Sequence, residues 1–255
     1  MTILQMYELF NRLIPQALSA SWDNDGLMCC SDPHREVKRV LCTLDVTGRV
    51  VDYAIENGFD MIISHHPLIF KPISQMNPFD ITAGKLIRLM QNDIAVLSFH
   101  TRLDAVQGGV NDRLASILGI INPLPFGVEN EMIGRIGEIS TQMSLYDFAT
   151  LVKERLGSPS VLLADSGKSV SRVALLGGDG KDFIMAAVAA GADTFVTGRA
   201  SYNTMIEAPE IGINIIEAGH FYTEDIICRY FAEIVWEADP SIETAYLSSN
   251  EIVLI

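Results

Sequence analysis

Four of the five histidines in this chain stand just past the ends of short apolar runs, where a buried strand would deliver them to the edge of a sheet. His65 and His66 follow Met61-Ile-Ile-Ser64 and precede Pro67, which stops any helix and holds the residue before it extended. Adjacent side chains on an extended segment point to opposite sides. The two neighbours therefore serve two metal ions more easily than they chelate one. His220 and Glu224 lie four residues apart at the start of a predicted helix, so they share one face. An imidazole and a carboxylate so placed reach an ion at bond lengths of about 2 Å, although the same spacing also describes an ordinary surface pair. Asp104 precedes Gly108-Gly109 in a loop at the same kind of edge, where a carboxylate can bridge two cations and offset their charge. A lone histidine is more often a hydrogen-bonded surface group than a ligand; four at strand ends favour metal. His65, His66, Asp104, His220 and Glu224 are thus the expected ligands. Three imidazoles with two carboxylates suit two divalent transition-metal ions (Zn, Mn, Fe, Co or Ni) better than Ca or Mg. His100 is expected to orient a ligand rather than bind metal itself.

An internal repeat supplies the elements that hold these residues. Sliding the chain along itself by 133 positions places Val40–Asp45 on Val173–Gly178, Gly58-Phe-Asp60 on Gly191-Ala-Asp193, and Met61–Ser64 on Thr194–Thr197, without a gap. Each copy reads as strand, turn, helix, glycine turn, strand. The strands are continuous apolar runs, as in parallel sheets covered on both faces. The spacing predicts an α/β fold with mostly parallel sheets and two related halves, 1–125 and 126–255, with the metal site in the cleft between them. The final elements are free to pack back on the first half. Third strands are expected at Ile94–Ser98 and Ile213–Glu217, each followed by a His-x₃-carboxylate segment at an offset of 120. The extra residues of the first half fall in the proline-rich stretch from Pro67 to Asp80. Asn122–Pro125 is expected to mark the boundary between halves, Val128–Ser140 to form strand broken at Gly134 and Gly137, and Glu251–Ile255 to form a last strand. The glycines of Gly177-Gly-Asp-Gly180 read as a tight strand-to-helix turn, with a phosphate cradle as the alternative. Trp22-Asp23-Asn24 is placed either against a ligand or as a cap and packing unit.

Composition narrows the class. The chain has 255 residues, 49% hydrophobic and 20% charged, with a formal net charge of −14. That is a globular protein rather than a disordered one. Its charge repels a nucleic-acid backbone. No run approaches the length of a membrane span, and Met1–Pro15 reads as a capped helix rather than a secretory signal. The four cysteines show no pairing pattern and read as buried thiols, so a cytoplasmic location is expected.

Trp22-Asp-Asn-Asp-Gly-Leu27, Leu44-Asp-Val-Thr47, Ser64-His-His-Pro-Leu-Ile-Phe70, His100-Thr-Arg-Leu-Asp-Ala105, Gly108-Gly-Val-Asn-Asp112 and Gly219-His-Phe-Tyr-Thr-Glu224 together resemble the Nif-three-like family, whose members are called GTP cyclohydrolase 1 type 2 homologues. The resemblance implies a dinuclear metal site on His65, His66, Asp104, His220 and Glu224, and a toroidal homohexamer. The family usually carries Thr-Gly-Asp and Tyr-His where this chain has Thr197-Gly-Arg199 and Tyr202-Asn203. The leading expectation is a metal-dependent hydrolase acting on a nucleotide-like, phosphorylated or cyclic-amide small molecule, with Arg199 or Arg102 neutralising substrate charge. The alternative is a non-catalytic metal-binding ring for storage, delivery or scaffolding.

Overall fold

The computed structural model describes residues 1–129 and 131–253. Among these the strands are β1 (Gly26–Cys29), β2 (Arg39–Thr43), β3 (Met61–Ser64), β4 (Ala95–Ser98), β5 (Ile120–Val128), β6 (Glu131–Met143), β7 (Leu162–Ala164), β8 (Val170–Asp179), β9 (Thr194–Arg199), β10 (Asn214–Glu217) and β11 (Glu243–Tyr246). The chain divides into two compact units, one of Met1–Leu103 with Ile227–Ile252, the other of Asp104–Ile226 with Val253. Each unit has its own sheet, in the orders β1-β4-β3-β2-β11 and β5-β6-β8-β9-β10-β7.

The repeat is real down to the hydrogen-bond register. β2 and β3 run parallel with Val40 opposite Met61, and β8 and β9 run parallel with Val173 opposite Thr194, the same pairing 133 residues on. β4 extends the first sheet and β10 the second, both in parallel. An antiparallel edge strand, β1 or β7, then closes that side of each sheet. All four residues of β3 and of β4 are buried, as a sheet covered on both faces requires. In the first unit one face is covered by the helices Gly48–Glu56 and Ile81–Gln91, through Val50, Val51, Ala54, Leu86 and Leu89. The helix Ile3–Leu13 opens with a reciprocal capping box between Thr2 and Gln5 and buries Ile3, Met6 and Phe10. Leu13, its last residue, is exposed, and Ile14 just beyond it is buried.

The glycine-x-aspartate pairs explain why the two copies keep one register. Gly58 and Gly191 end their helices with positive φ, and the next residue in each copy donates back into the helix, Phe59 to Ala54 O and Ala192 to Ala187 O. The aspartate then turns onto the neighbouring strand. Asp60 Oδ2 accepts from the N–H groups of Lys38 and Arg39, and Asp193 Oδ2 from those of Ser171 and Arg172. One carboxylate thus pins the start of β2 against β3, and its counterpart pins β8 against β9.

Sixteen residues, 65–80, separate β3 from its following helix, whereas two, 200–201, separate β9 from the helix Tyr202–Ile211, so the first half's extra length lies where expected. Other expectations need correcting. Asn122–Pro125 lies inside β5 and marks no boundary; β5 pairs with β6 across a register shift there. Gly134 and Gly137 do not break β6. A Cβ at Gly134 would stand 2.3 Å from the Phe126 ring, and one at Gly137 2.5 Å from Ile121 O, so both glycines permit close approach of β5. The last strand is Glu243–Tyr246, parallel to β2. Glu251–Val253 has no regular structure, and Leu254 and Ile255 lie outside the described residues.

Replacing Asp60 or Asp193 with alanine leaves two strand N–H groups without their acceptor and is expected to cost about 1–3 kcal/mol. Replacement with asparagine, which keeps an acceptor oxygen, is expected to cost less. Urea unfolding midpoints measure both; an alanine variant as stable as wild type would contradict the pinning role.

Candidate metal centre

In the first unit three histidines gather at the carboxyl ends of β3 and β4. Phe99 N–H donates to Ser64 O, which continues the β3–β4 ladder by one residue and presents the Phe99 carbonyl to His65. His65 Nδ1 lies 2.8 Å from that carbonyl oxygen. A carbonyl only accepts, so Nδ1 carries the hydrogen and Nε2 keeps its lone pair. His66 Nδ1 stands 2.7 Å from Asp45 Oδ1 and His100 Nδ1 2.9 Å from Asp23 Oδ1, which assigns the same tautomer to both when they are neutral. Each ring is therefore anchored through Nδ1, the arrangement typical of metal-binding imidazoles. One ligand atom from each of His65, His66 and His100 lies within 4.8 Å of the others. A soft or borderline divalent ion fits that donor set. His100, expected only to support a ligand, stands with the other two.

The anchoring residues are themselves held. Asp45 Oδ2 accepts from Ser249 Oγ, and Ser249 Oγ accepts from Asp45 N–H, tying the segment after β11 to the His66 partner. Asp23 accepts from Thr101 N–H and, at 2.6 Å, from Thr101 Oγ1. Burial pushes the Asp23 carboxyl up, but the hydrogen bond and charge of His100 and the two Thr101 bonds outweigh it and hold Asp23 at about 2. Sequence reasoning assigned no role to Asp45 or Ser249. Asp45 carried a signal, as a carboxylate directly after a buried strand; Ser249 carried none.

In the second unit His220 begins the helix His220–Glu224, and its Nε2 lies 2.9 Å from Glu224 Oε2. The expected one-face pairing is present. What brings the helix so close to the sheet is Gly177-Gly178, at the register shift inside β8. A Cβ at Gly178 would fall 2.2 Å from Glu224 Oε1, and one at Gly177 3.2 Å from Glu224 Cγ. Gly178 N–H donates to Thr223 Oγ1, and Gly177 N–H to Asn111 Oδ1. The double glycine is a clearance for Glu224 inside β8 rather than the expected strand-to-helix turn. Asp104 is buried, and its backbone carbonyl accepts from Asn111 Nδ2, which also donates to Ile133 O.

The two His-x₃-carboxylate segments are not equivalent. Ala218 N–H donates to Thr197 O as Phe99 N–H does to Ser64 O, so the true offset is 119. The bounds of the short helices Thr101–Ala105 and His220–Glu224 coincide at that offset, which sets His220 against Thr101 and His100 against Gly219. His65 and His66 correspond to Gly198 and Arg199. A Cβ at Gly198 would meet Thr223 Oγ1 at 2.5 Å, so the second copy has no room for a histidine side chain there. Arg199 and Asn203 are exposed. Arg102, a candidate for neutralising substrate charge, is fully buried. It donates to Asp25, Asn11 and the Ile14 carbonyl and lies 4.6 Å over the Phe99 ring, so it is a core residue of the first unit. Cys42 and Cys228 are buried, and burial pushes the Cys29 and Cys42 thiols up to about 12, which leaves them protonated and inert.

Asp23 sets a pH dependence. Its folded value lies below its ordinary 3.8, so its contribution is present above that value and is lost as pH falls toward about 2. Wild-type stability, read from urea midpoints, is expected to fall across that window, and Asp23→Asn to lack this component. Equal slopes for the two chains would contradict the assignment.

The family model Duf34/NIF3 (NGG1p interacting factor 3) matches residues 1–251. A Clostridium perfringens protein named GTP cyclohydrolase 1 type 2 homolog is 34% identical over 251 residues, 95% of each chain. A Clostridium acetobutylicum protein of the same name is 36% identical over 216 residues, 82% of this chain and 80% of its own. Among solved structures, Staphylococcus aureus protein SA1388 superposes with a TM-score of 0.89 at 28% identity, over 100% of this chain and 99% of that one. Reduced HcgD from Methanocaldococcus jannaschii does so at 0.84 and 27%, over 97% and 98%. No helix among the described residues is long and apolar enough to cross a membrane. The chain belongs to the Duf34/NIF3 family.

Proposed function

We propose that this chain is a metal-dependent hydrolase that holds two divalent transition-metal ions on His65, His66, Asp104, His220 and Glu224. The observation that carries this reading is the set of histidines in the first unit, each anchored through Nδ1, with ligand atoms within 4.8 Å of one another. The His220–Glu224 pair, brought close to its sheet by the double glycine, supports it from the second unit. Bound ions of this kind lower the pKa of water and stabilise developing charge on a carbonyl or phosphoryl oxygen. The residues' own work is to hold that donor set rigid: Asp45 and Phe99 O orient His66 and His65, and Asn111 fixes the backbone at Asp104. The substrate class is a nucleotide-like, phosphorylated or cyclic-amide small molecule, and the exposed Arg199 is a cation open to an anionic one. We place the protein in the cytoplasm as a homohexamer.

The burial of Arg102 favours a second reading, a non-catalytic ring that stores or delivers metal, because it removes one of the two candidate substrate-binding cations. Asp104→Asn separates the two readings. With hydrolysis, turnover of a panel of phosphoesters, nucleotides and cyclic amides by the metal-loaded wild type disappears in the variant while its oligomeric state persists. No turnover by wild type, with metal content alone changed in the variant, would leave only the binding reading.

A further inference from the structure

Beside the histidine cluster of the first unit stand two large aromatic side chains that the metal reading does not use. Trp22 and Phe70 are 54% and 48% exposed, high values for side chains of that size held in an ordered setting. Their ring centroids are 6.2 Å apart, edge to face, and each also lies 6.2 Å from the His100 ring at a steep angle. His100 in turn packs 5.3 Å from His65 and 5.7 Å from His66. The result is a corner with aromatic walls and an imidazole floor.

The corner is built rather than accidental. Asn24 Nδ2 donates to Ile69 O, joining the loop that carries Trp22 to the loop that carries Phe70. Asp23, between Trp22 and Asn24, fixes His100 and Thr101. Phe70 also lines a hollow of about 330 Å³ together with Leu68, Lys71 and Asp80, at the lower end of the range for small-ligand sites. In the larger hollow near Gly108 and Arg135, the Arg135 guanidinium is engaged by Asp112 and the carbonyls of Ala105, Val106, Ile133 and Gly134.

We infer that Trp22 and Phe70 form a stacking platform for a planar heteroaromatic ring of purine size, carried by a ligand whose anionic tail meets Lys71. An aromatic face accepts any such ring, since stacking needs only a second π face, and the polar ring edge then turns to the imidazole floor. The inference rests on the proposed metal-site function only in making that ring part of the substrate.

Equilibrium dialysis of the full metal-loaded chain with adenosine monophosphate, guanosine monophosphate and ribose 5-phosphate tests it, with metal content measured on the same samples. The nucleotides are expected to bind at least ~10-fold more tightly than ribose 5-phosphate. Trp22→Leu and Phe70→Leu are expected to erase that difference with metal content unchanged, and Trp22→Phe to restore most of it. Equal binding of nucleotide and ribose 5-phosphate, or nucleotide binding indifferent to both leucine variants, overturns the platform. Ring binding that persists in a chain taking up no metal overturns the metal reading and leaves the platform standing.

Discussion

An imidazole becomes a dependable ligand when its Nδ1–H is given to an acceptor that cannot itself donate. That constraint organises the first unit. The Phe99 carbonyl reaches His65 because Phe99 N–H has already extended the ladder from Ser64. Asp45 reaches His66 because it follows the last residues of β2, and Ser249 steadies it. Asp23 reaches His100 because its other oxygen is engaged by Thr101. Phe99 and Asp45 stand just beyond the ends of parallel strands, and Asp23, in the loop before the antiparallel β1, is held by Thr101 beyond β4, so ring orientation follows from the sheet edge.

The repeat shows how one supersecondary unit can carry two different sets of side chains at its strand ends. The pieces that build the sheet are the same in both copies: strand register, helix-ending glycine, and the aspartate that pins the preceding strand. The pieces beyond the strand ends differ in a compensated way. Where the first copy projects His65 and His66, the second has Gly198, whose space is taken by Thr223 and the backbone of His220. Where the first has Asp45, the second has Gly178, whose missing side chain admits Glu224. One copy carries its histidines on the strand end, the other carries a histidine and a glutamate on a short helix laid over glycines.

Much of this was legible in the sequence. Continuous apolar runs and the 133-residue offset disclosed the repeated parallel strands β2, β3, β4, β8, β9 and β10, though not β11, because burial on both faces leaves a direct trace in residue type. His220 and Glu224 were legible because a helix fixes which residues share a face. Most of the anchors were not: Asp45 left only the trace of a carboxylate after a buried strand, Ser249 acts through a contact distant in sequence, and the Phe99 carbonyl, a backbone oxygen, has no residue-type signature. The glycines at 134 and 137 misled because glycine marks both a break and a close approach, and only the partner strand decides between them. His100 and His220 were paired by motif at an offset of 120, whereas the backbone bonds from Phe99 and Ala218 fix it at 119.

Metal content per chain, by elemental analysis of protein purified without chelator, is the most direct test that these anchored side chains are ligands. We expect about two equivalents of a divalent transition metal in the wild type, and clearly less in both His66→Ala and Glu224→Ala. A wild-type chain with content near zero that takes up none of Zn, Mn or Fe would contradict the account.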